Sequence, residues 1–314
     1  MKVLVVTNMY PQPDQPAFGT FVRDQVEALR RRGIEVDVLF INGRKSRLNY
    51  LWGLFRFWRQ LLKRRYDVIH AHYVFSGIIA RLQPFFSVVV TYHGSELGVG
   101  PQHWLPRLAR AVHPLFQRVI VVSPQMKQML NSPNVCVIPC GVNFDEFKPI
   151  PLTKARQQIG LPLDKPLVVW AGEHWRPEKR YRMLEQAMQL VKQDLPDAEL
   201  VLVSGQPHQM VPVYMSACDV LALTSAREGS PMVIKEAMAC NLPIVSVDVG
   251  DVAAVIGETE HSYLVEPTPE AVAEKLRLVL SNRQRTNGRS KIGHLESNVI
   301  AGQIIEIYKE LCEL

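Results

Sequence analysis

The sequence lacks the features that mark secreted, metal-stabilised or membrane-spanning proteins. It has five cysteines, at positions 136, 140, 218, 240 and 312, without the paired spacing of a zinc site, and we expect them to be buried free thiols. No apolar run approaches the roughly 20 residues that a membrane-spanning helix needs. Residues 1–7 form a short strand-like segment and not a signal peptide, which predicts a cytoplasmic protein.

Metal-binding and nucleic-acid-binding motifs are also missing. No Asp-x-Asp pair follows a strand, and Asp248 and Asp251 are expected to start a helix. Lysine, arginine and a helix N-terminus can supply the positive charge that a metal would otherwise provide, so we expect no metal. No nucleic-acid recognition module is present, and no nucleic-acid partner is expected.

Positive charge is concentrated in the first half of the chain. Residues 1–149 carry 19 Lys and Arg against 9 Asp and Glu, whereas residues 150–314 carry 17 against 21, and the whole chain has a net charge of +6. Residues 44–65 contain eight Lys and Arg and no acid, interleaved with apolar residues that include Trp52, Phe55 and Trp58. This composition is typical of an amphipathic helix at an anionic membrane surface. A surface helix with its apolar face in the core would have the same pattern, so both interpretations stay open.

Strand-like and helix-like segments alternate, which predicts parallel sheets covered by helices on both faces. The predicted strands are 3–7, 36–41, 68–71, 88–92, 119–122, 135–139, 167–171, 199–204, 220–224, 244–247 and 263–265. The predicted helices are 19–32, 47–64, 73–82, 106–116, 124–130, 177–193, 208–217, 231–240, 270–280 and 299–314. A proline-rich passage at 147–152 is predicted to link two α/β domains.

The segment 227–246 carries two glutamates, Glu228 and Glu236, on either side of a predicted helix start. Ser230 is predicted to cap this helix and Pro231 to be its first residue. A glutamate-rich loop is usually solvent-exposed surface, but this one follows a buried strand, where open α/β sheets bind ligands. Backbone amides at a helix N-terminus can bind a diphosphate, and carboxylates can accept hydrogen bonds from sugar hydroxyls. The segment therefore predicts a nucleotide-sugar site.

The chain resembles the retaining glycosyltransferases of the GT-B fold that are called glycosyl transferases group 1. The resemblance rests on the Glu-x7-Glu element at 228–236 and on the order of five further stretches: 67–72, 91–95, 119–123, 137–143 and 169–179. It implies two Rossmann-like domains that face a cleft. We expect an acceptor-side domain at 1–148, a donor domain at 149–298, and a final helix at 299–314 that packs back on the first domain.

By this resemblance, the first glutamate and the backbone after it hold the donor sugar and diphosphate, and the second holds the ribose. The residues concerned are Glu228, Gly229, Ser230, Pro231, Met232 and Glu236. Lys179 matches the lysine that neutralises the leaving diphosphate. Without the resemblance, a lysine at this position would equally suit a solvated helix start.

Three further residues are candidates for the site. His93 matches a histidine that contacts the donor sugar in the family, although a loop histidine is commonly structural. Arg176 is a candidate phosphate ligand because Glu173 and His174 stand where the family usually has arginine. Gly19 would let the backbone approach the acceptor or phosphate.

The chain departs from the family in two further ways. Arg180 stands where glycine is common, and residues 205–213 replace about one β-α unit that relatives carry. The second domain is therefore expected to be shortened, with a differently built site for the nucleotide base.

The expected function is transfer of a hexose, with retention, from a nucleoside-diphosphate sugar to a hydroxyl of a glycan or lipid-linked acceptor. A UDP-sugar is favoured as the donor, GDP-mannose is next, and no separate cofactor is expected. Membrane contact through residues 44–65 would be peripheral, at the inner face. The alternatives are a nucleotide-sugar epimerase or hydrolase on the same fold and a non-catalytic nucleotide-sugar-binding protein.

Overall fold

Apolar runs rich in valine and isoleucine form two parallel sheets. The computed structural model describes residues 1–98 and 104–313. The strands within them are β1 (Lys2–Thr7), β2 (Glu35–Phe40), β3 (Val68–His72), β4 (Ser87–Tyr92), β5 (Arg118–Val121), β6 (Val135–Val137), β7 (Leu167–Ala171), β8 (Glu199–Val203), β9 (Val220–Leu223), β10 (Ile244–Val247) and β11 (Tyr263–Val265). Strands covered by helices on both faces are expected to be apolar throughout, and most of these are.

Amphipathic segments between the strands form the helices. These are α1 (Thr20–Arg31), α2 (Asn49–Lys63), α3 (Val74–Arg81), α4 (Leu105–Val112), α5 (Pro124–Leu130), α6 (Leu152–Ile159), α7 (Tyr181–Asp194), α8 (Val211–Ala217), α9 (Met232–Ala239), α10 (Val252–Ile256), α11 (Pro269–Asn282), α12 (Gly288–Lys291) and α13 (Ser297–Cys312). None of the helices in the described ranges is long and apolar enough to cross a membrane.

The chain divides into two compact units. The first consists of Met1–Gly141 and Ser297–Leu314, and the second of Val142–Glu296. The division therefore lies after Gly141 and not after residue 148 as predicted. The reason is that the Arg289 guanidinium binds the carbonyl oxygens of Phe144 and Phe147 at 2.9 and 2.5 Å, which fastens this segment to the second unit.

The first unit contains a six-stranded sheet in the order β2-β1-β3-β4-β5-β6, and every neighbouring pair is parallel. The direction of strand order reverses at β1 and β3. Loops that follow these two strands therefore lie beside the crevice that such a reversal opens.

The second unit contains a five-stranded parallel sheet in the order β11-β10-β9-β7-β8. The predicted pair of parallel-sheet domains, with the second one smaller, is thus confirmed. In this sheet the strand order reverses at β7 and β9, so the loops after these two strands are the expected ligand-binding loops.

Several helix boundaries were predicted wrongly. The predicted helix 177–193 is a short 3-10 turn at Pro177–Lys179 followed by α7, because Arg180 adopts a left-handed conformation with φ 47° and interrupts the helix. This conformation explains why glycine suits the position. Helix α6, which begins at the end of the proline-rich passage, was not predicted. The predicted helix 208–217 begins as a 3-10 turn at His208–Met210.

Helix α2 has both an apolar core face and an exposed apolar face. Tyr50, Leu54, Phe57, Trp58 and Leu61 pack against the core of the first unit. Leu51, Trp52, Phe55 and Leu62 are 60–84 % exposed on the other side. Trp58, which the sequence pattern groups with Trp52 and Phe55, therefore belongs to the core face.

Helix α13 is fastened to the sheet of the first unit by a buried hydrogen bond. The Tyr308 hydroxyl lies 2.5 Å from Nδ1 of His70, a buried residue in the middle of β3. The other ring nitrogen of His70 lies 2.7 Å from the Thr91 hydroxyl on β4. Both nitrogens of this imidazole are thus satisfied, as a buried polar group requires.

Removal of the Tyr308 hydroxyl is expected to destabilise the first unit. In Tyr308→Phe the buried Nδ1 of His70 loses its partner, which costs about 1–3 kcal/mol of the free energy of unfolding. Tyr92→Phe is the matched control, because the buried Tyr92 hydroxyl has no hydrogen-bond partner within the described part of the chain. Chemical denaturation should show a loss for Tyr308→Phe and little change for Tyr92→Phe. Equal losses in both variants would contradict this assignment.

Candidate functional site

The loops after β7 and β9 are tied together at the carboxyl edge of the second sheet. The Thr224 hydroxyl donates to the carbonyl oxygens of Lys179 and Arg180 at 3.0 and 3.3 Å. The backbone N–H of Ala226 donates to the carbonyl of Glu178 at 2.7 Å. The backbone that carries Lys179 is therefore fixed to the segment that precedes Glu228.

Lys179 and Glu228 form an ion pair at this edge. Nζ of Lys179 lies 2.7 Å from Oε1 of Glu228, and the two side chains are 20 % and 17 % exposed. Partial removal from water strengthens the attraction between opposite charges. The structure thus brings together a cation and a carboxylate that lie far apart in the sequence, and both remain partly exposed to solvent.

Arg176 lies on the same loop but is held by acidic neighbours. Its guanidinium bonds the Glu178 carboxylate at 2.5 and 2.7 Å and lies 3.5 Å from the Glu173 carboxylate. Glu173 stands at the point where the chain departs from its predicted family, whereas Glu178 directly precedes Lys179. Arg176 would have to exchange these partners before it could bind a phosphate.

Ser230 does not cap the helix that follows it, contrary to prediction. Helix α9 begins at Met232, with Pro231 at its N-cap position and no side-chain cap. The Ser230 hydroxyl instead donates to the Asp251 carboxylate at 2.5 Å and accepts from the buried Lys235 ammonium at 2.6 Å. A charged donor and a charged acceptor make stronger hydrogen bonds than a backbone amide does.

The N-terminal end of α9 presents the remaining predicted residues. Met232 is its first residue, so the first-turn amides lie directly after the 228–231 loop, and Glu236 follows on the second turn, half-buried. Backbone N–H groups at a helix start attract anions. Gly229 lies against the turn after β10: a Cβ on Gly250, which has φ +60°, would come within 2.6 Å of the Gly229 carbonyl oxygen.

Gly19 occupies a tight position in the first unit. It lies at the N-cap of α1 with φ 74°. A Cβ at this position would lie 2.5 Å from the carbonyl carbon of Met9. Only glycine satisfies both the left-handed conformation and the close approach of the chain after β1. Both constraints on Gly19 come from the fold and not from a ligand.

His93 belongs to a histidine cluster at the carboxyl ends of β3 and β4 in the first unit. Its Nε2 lies 3.0 Å from Nδ1 of the buried His72, and its Nδ1 lies 3.6 Å from Sγ of Cys140. The carboxylate of Glu96 accepts hydrogen bonds from the backbone N–H groups of His93 and Gly94, each at 3.1 Å. Glu96 therefore shapes the turn that carries His93.

Loss of hydration keeps this cluster uncharged at neutral pH. Burial, reinforced by neighbouring imidazoles, lowers the pKa of His93 to about 3 and holds the pKa of His72 well below its usual value. Burial also raises the pKa of Glu96 to about 7, against the effect of its backbone hydrogen bonds. The first unit thus offers neutral imidazoles, which can donate or accept hydrogen bonds to hydroxyl groups.

Sequence reasoning missed Glu96, His72, Lys235 and Asp251. His72 and Lys235 lie within stretches that were recognised as similar to the family, but no role was assigned to them. A charged residue predicted on the buried side of a helix, as Lys235 is, would have been the available signal, because a buried charge needs a partner.

Comparisons with known proteins agree with this architecture. The profile of Glycosyltransferase Family 4 matches residues 2–146, and that of Glycosyl transferases group 1 matches residues 202–294. TuaC of Bacillus subtilis (strain 168), provisionally named a teichuronic acid biosynthesis glycosyltransferase, is 26 % identical, and the alignment covers 88 % of each protein.

Solved structures share the fold at lower identity. Sucrose-phosphate synthase from Thermosynechococcus elongatus has a TM-score of 0.83 at 23 % identity, over 99 % of both chains. HepE from Anabaena, in a complex with UDP, has a TM-score of 0.75 at 19 % identity, over 99 % of this chain and 100 % of that one.

Glu96 is expected to make unfolding depend on pH. Its pKa is raised from 4.5 to about 7 in the folded protein. Between these values the folded state holds a proton that the unfolded state has released, so stability falls as pH rises, by at most about 1.4 kcal/mol per pH unit. In Glu96→Gln this decline should be absent, whereas the pH dependence of stability that His70, His72 and His93 contribute should be unchanged. Denaturation of both proteins from about pH 5 to about pH 8 measures the difference. A difference that stays constant with pH would show that Glu96 is ionised throughout.

Proposed function

The chain belongs to the GT-B glycosyltransferases, and on this basis we propose that it transfers a hexose, with retention, from a nucleoside-diphosphate sugar to a hydroxyl acceptor. One observation carries the proposal. The Lys179–Glu228 ion pair lies where the strand order of the second sheet reverses, directly before the N-terminal end of α9. This arrangement offers a cation and helix amides to a diphosphate and a carboxylate to sugar hydroxyls.

We assign the donor to the second unit and favour a UDP-sugar, with GDP-mannose as the next candidate. The HepE structure, which shares the fold and was solved with UDP, supports a uridine nucleotide. In our proposal Glu236 binds the ribose hydroxyls. The amides of Gly229, Ser230 and Met232 bind the diphosphate, and Pro231, which has no N–H, sets the entry of the chain into α9.

Catalysis would depend on the charge that develops on the leaving group. The acceptor oxygen attacks the anomeric carbon on the face from which the diphosphate leaves, and the departing phosphate oxygen takes the acceptor proton. Lys179 and the helix amides stabilise the negative charge as the glycosidic bond breaks. No metal and no separate cofactor enters this scheme, because Lys179 supplies the positive charge.

Three further residues have roles in the same proposal. His93, neutral at pH 7, would donate or accept a hydrogen bond to a sugar hydroxyl. Arg176 would bind the diphosphate only after it leaves Glu178. Gly19 would allow the backbone after β1 to approach a ligand closely.

The first test is a donor screen followed by substitution of Lys179. Thermal stabilisation by UDP-, GDP- and ADP-sugars should identify the donor, and product analysis should show net transfer to a hydroxyl acceptor. With that donor, Lys179→Met should lower kcat by about 100- to 1000-fold, as removal of one group that stabilises the developing charge does. Glu228→Gln should mainly lower turnover, and Glu236→Gln should mainly weaken nucleotide binding.

Lys165→Met is the matched control, because Lys165 forms an exposed ion pair with Glu199 in the same unit. It should leave turnover nearly unchanged. Full activity of Lys179→Met would refute the assigned site. Deuterium incorporation at a sugar carbon without an acceptor would favour an epimerase, and stabilisation without turnover would favour a binding protein.

We further propose that the acceptor is lipid-linked and that α2 contacts an anionic membrane. Leu48, Leu51, Trp52, Phe55 and Leu62 recur at helical spacing and are exposed. All eight Lys and Arg between positions 44 and 65 are exposed around this face. An exposed apolar stripe with basic flanks is what anionic lipid surfaces bind.

Vesicle flotation tests the membrane contact. The wild-type protein should float with phosphatidylglycerol vesicles and not with phosphatidylcholine vesicles. Replacement of Leu51, Trp52 and Phe55 by serine should reduce the floated fraction at least about tenfold, because about 5 kcal/mol of apolar burial is lost. Phe85→Ser is the control, since Phe85 is 72 % exposed in the same unit but away from α2 in sequence. Equal flotation of the triple variant would exclude α2 as the contact.

A further inference from the structure

Three polar side chains hold the 228–231 loop: those of the half-buried Ser230 in the loop itself and of the buried Lys235 and Asp251. Nζ of Lys235 lies 2.6 Å from Oγ of Ser230 and 3.7 Å from Oδ2 of Asp251. Oγ of Ser230 donates to the same Asp251 oxygen at 2.5 Å. The Lys235 and Asp251 side chains are 0 % and 7 % exposed. We call these three residues the buried anchor.

The burial of two charges makes this arrangement specific. A buried ammonium or carboxylate is costly unless a charge of opposite sign and hydrogen bonds compensate it. The Ser230 hydroxyl, with one proton and two lone pairs, can donate to the carboxylate and accept from the ammonium at the same time. Its position between the charges therefore fixes the orientation of the Ser230 side chain.

Each member of the anchor comes from a different part of the site. Ser230 belongs to the loop that carries Glu228, Lys235 precedes Glu236 on α9, and Asp251 ends the turn after β10. That turn also contacts the loop through its backbone, because a Cβ on Gly250 would lie 2.9 Å from the Glu228 carbonyl oxygen and closer still to that of Gly229. The loop is thus held from two sides.

We propose that Ser230, Lys235 and Asp251 are positioning residues for donor binding and transfer. The anchor fixes the backbone of the 228–231 loop, so that the Glu228 carboxylate meets Lys179 and the loop amides face the diphosphate. Ser230 then contributes its amide to the donor, while its hydroxyl is used internally. This inference rests on the proposed function for its kinetic consequence, but the loop geometry can be measured without a donor.

Hydrogen–deuterium exchange and kinetics test the anchor together. Ser230→Ala removes the bridging hydroxyl, and Lys235→Met removes the charge at similar volume. Either change should accelerate exchange at the amides of Glu228, Gly229, Ser230 and Met232 by about tenfold and lower kcat/KM for the donor by about tenfold or more. Ser246→Ala is the matched control, because the buried Ser246 hydroxyl donates to the carbonyl of Val247 in β10. It should change neither quantity.

Each outcome decides the question. Unchanged exchange at 228–232 in Ser230→Ala would overturn the anchor, whether or not the protein transfers sugar. Faster exchange with kcat/KM equal to that of Ser246→Ala would overturn the positioning role. A wild-type protein that transfers no sugar would refute the proposed function. The anchor would then be tested by hydrogen–deuterium exchange alone. If Lys235→Met does not fold, Ser230→Ala carries the test, because it leaves both charges in place.

Discussion

Parallel pairing of β7 with β9 is the constraint on which the candidate site depends. All strands of a parallel sheet end at the same edge, and the reversal of strand order at β7 and β9 opens a crevice there. Lys179 follows the first of these strands and Glu228 follows the second. The Thr224 hydroxyl and the Ala226 N–H bind carbonyl oxygens of the first loop and so tie the two loops together. The ion pair is therefore a product of topology, although its two residues are distant in sequence.

The two units supply different kinds of chemistry at the corresponding edges of their sheets. The second unit places charged groups there, namely Lys179, Glu228 and the N-terminal end of α9. The first unit places His72 and His93 there, with pKa values low enough to keep both uncharged at neutral pH. A diphosphate is bound by a cation and helix amides, whereas sugar hydroxyls can be bound by carboxylates or by neutral donors and acceptors. The charged groups of the second unit therefore suit the proposed donor, and the neutral imidazoles of the first unit suit a sugar hydroxyl.

Local sequence patterns were sufficient for the sheets, while the candidate site came from the resemblance and from the residues around α9. Continuous apolar runs located every strand within a few residues, and the order of motifs pointed to Glu228 and Lys179. The role of Ser230 was not predictable in this way, because its capping preference is local while Asp251, the partner that overrides it, lies 21 positions away. The face on which Trp58 lies was not predictable either, because a helix with two apolar faces does not reveal from its sequence which face meets the core.

The main chain around Lys179 is held by hydrogen bonds, and this determines how fast the site can first respond to a ligand. The carbonyls of Lys179 and Arg180 are held by Thr224, and Arg180 is fixed in a left-handed turn. Exchange of the Glu228 carboxylate for another anion can therefore proceed through side-chain torsions alone. Such rotations take picoseconds to nanoseconds at accessible positions, whereas rearrangements of whole loops take nanoseconds to microseconds. Both are far faster than typical enzymatic turnover, so the swap of ionic partners would not set the pace of the cycle.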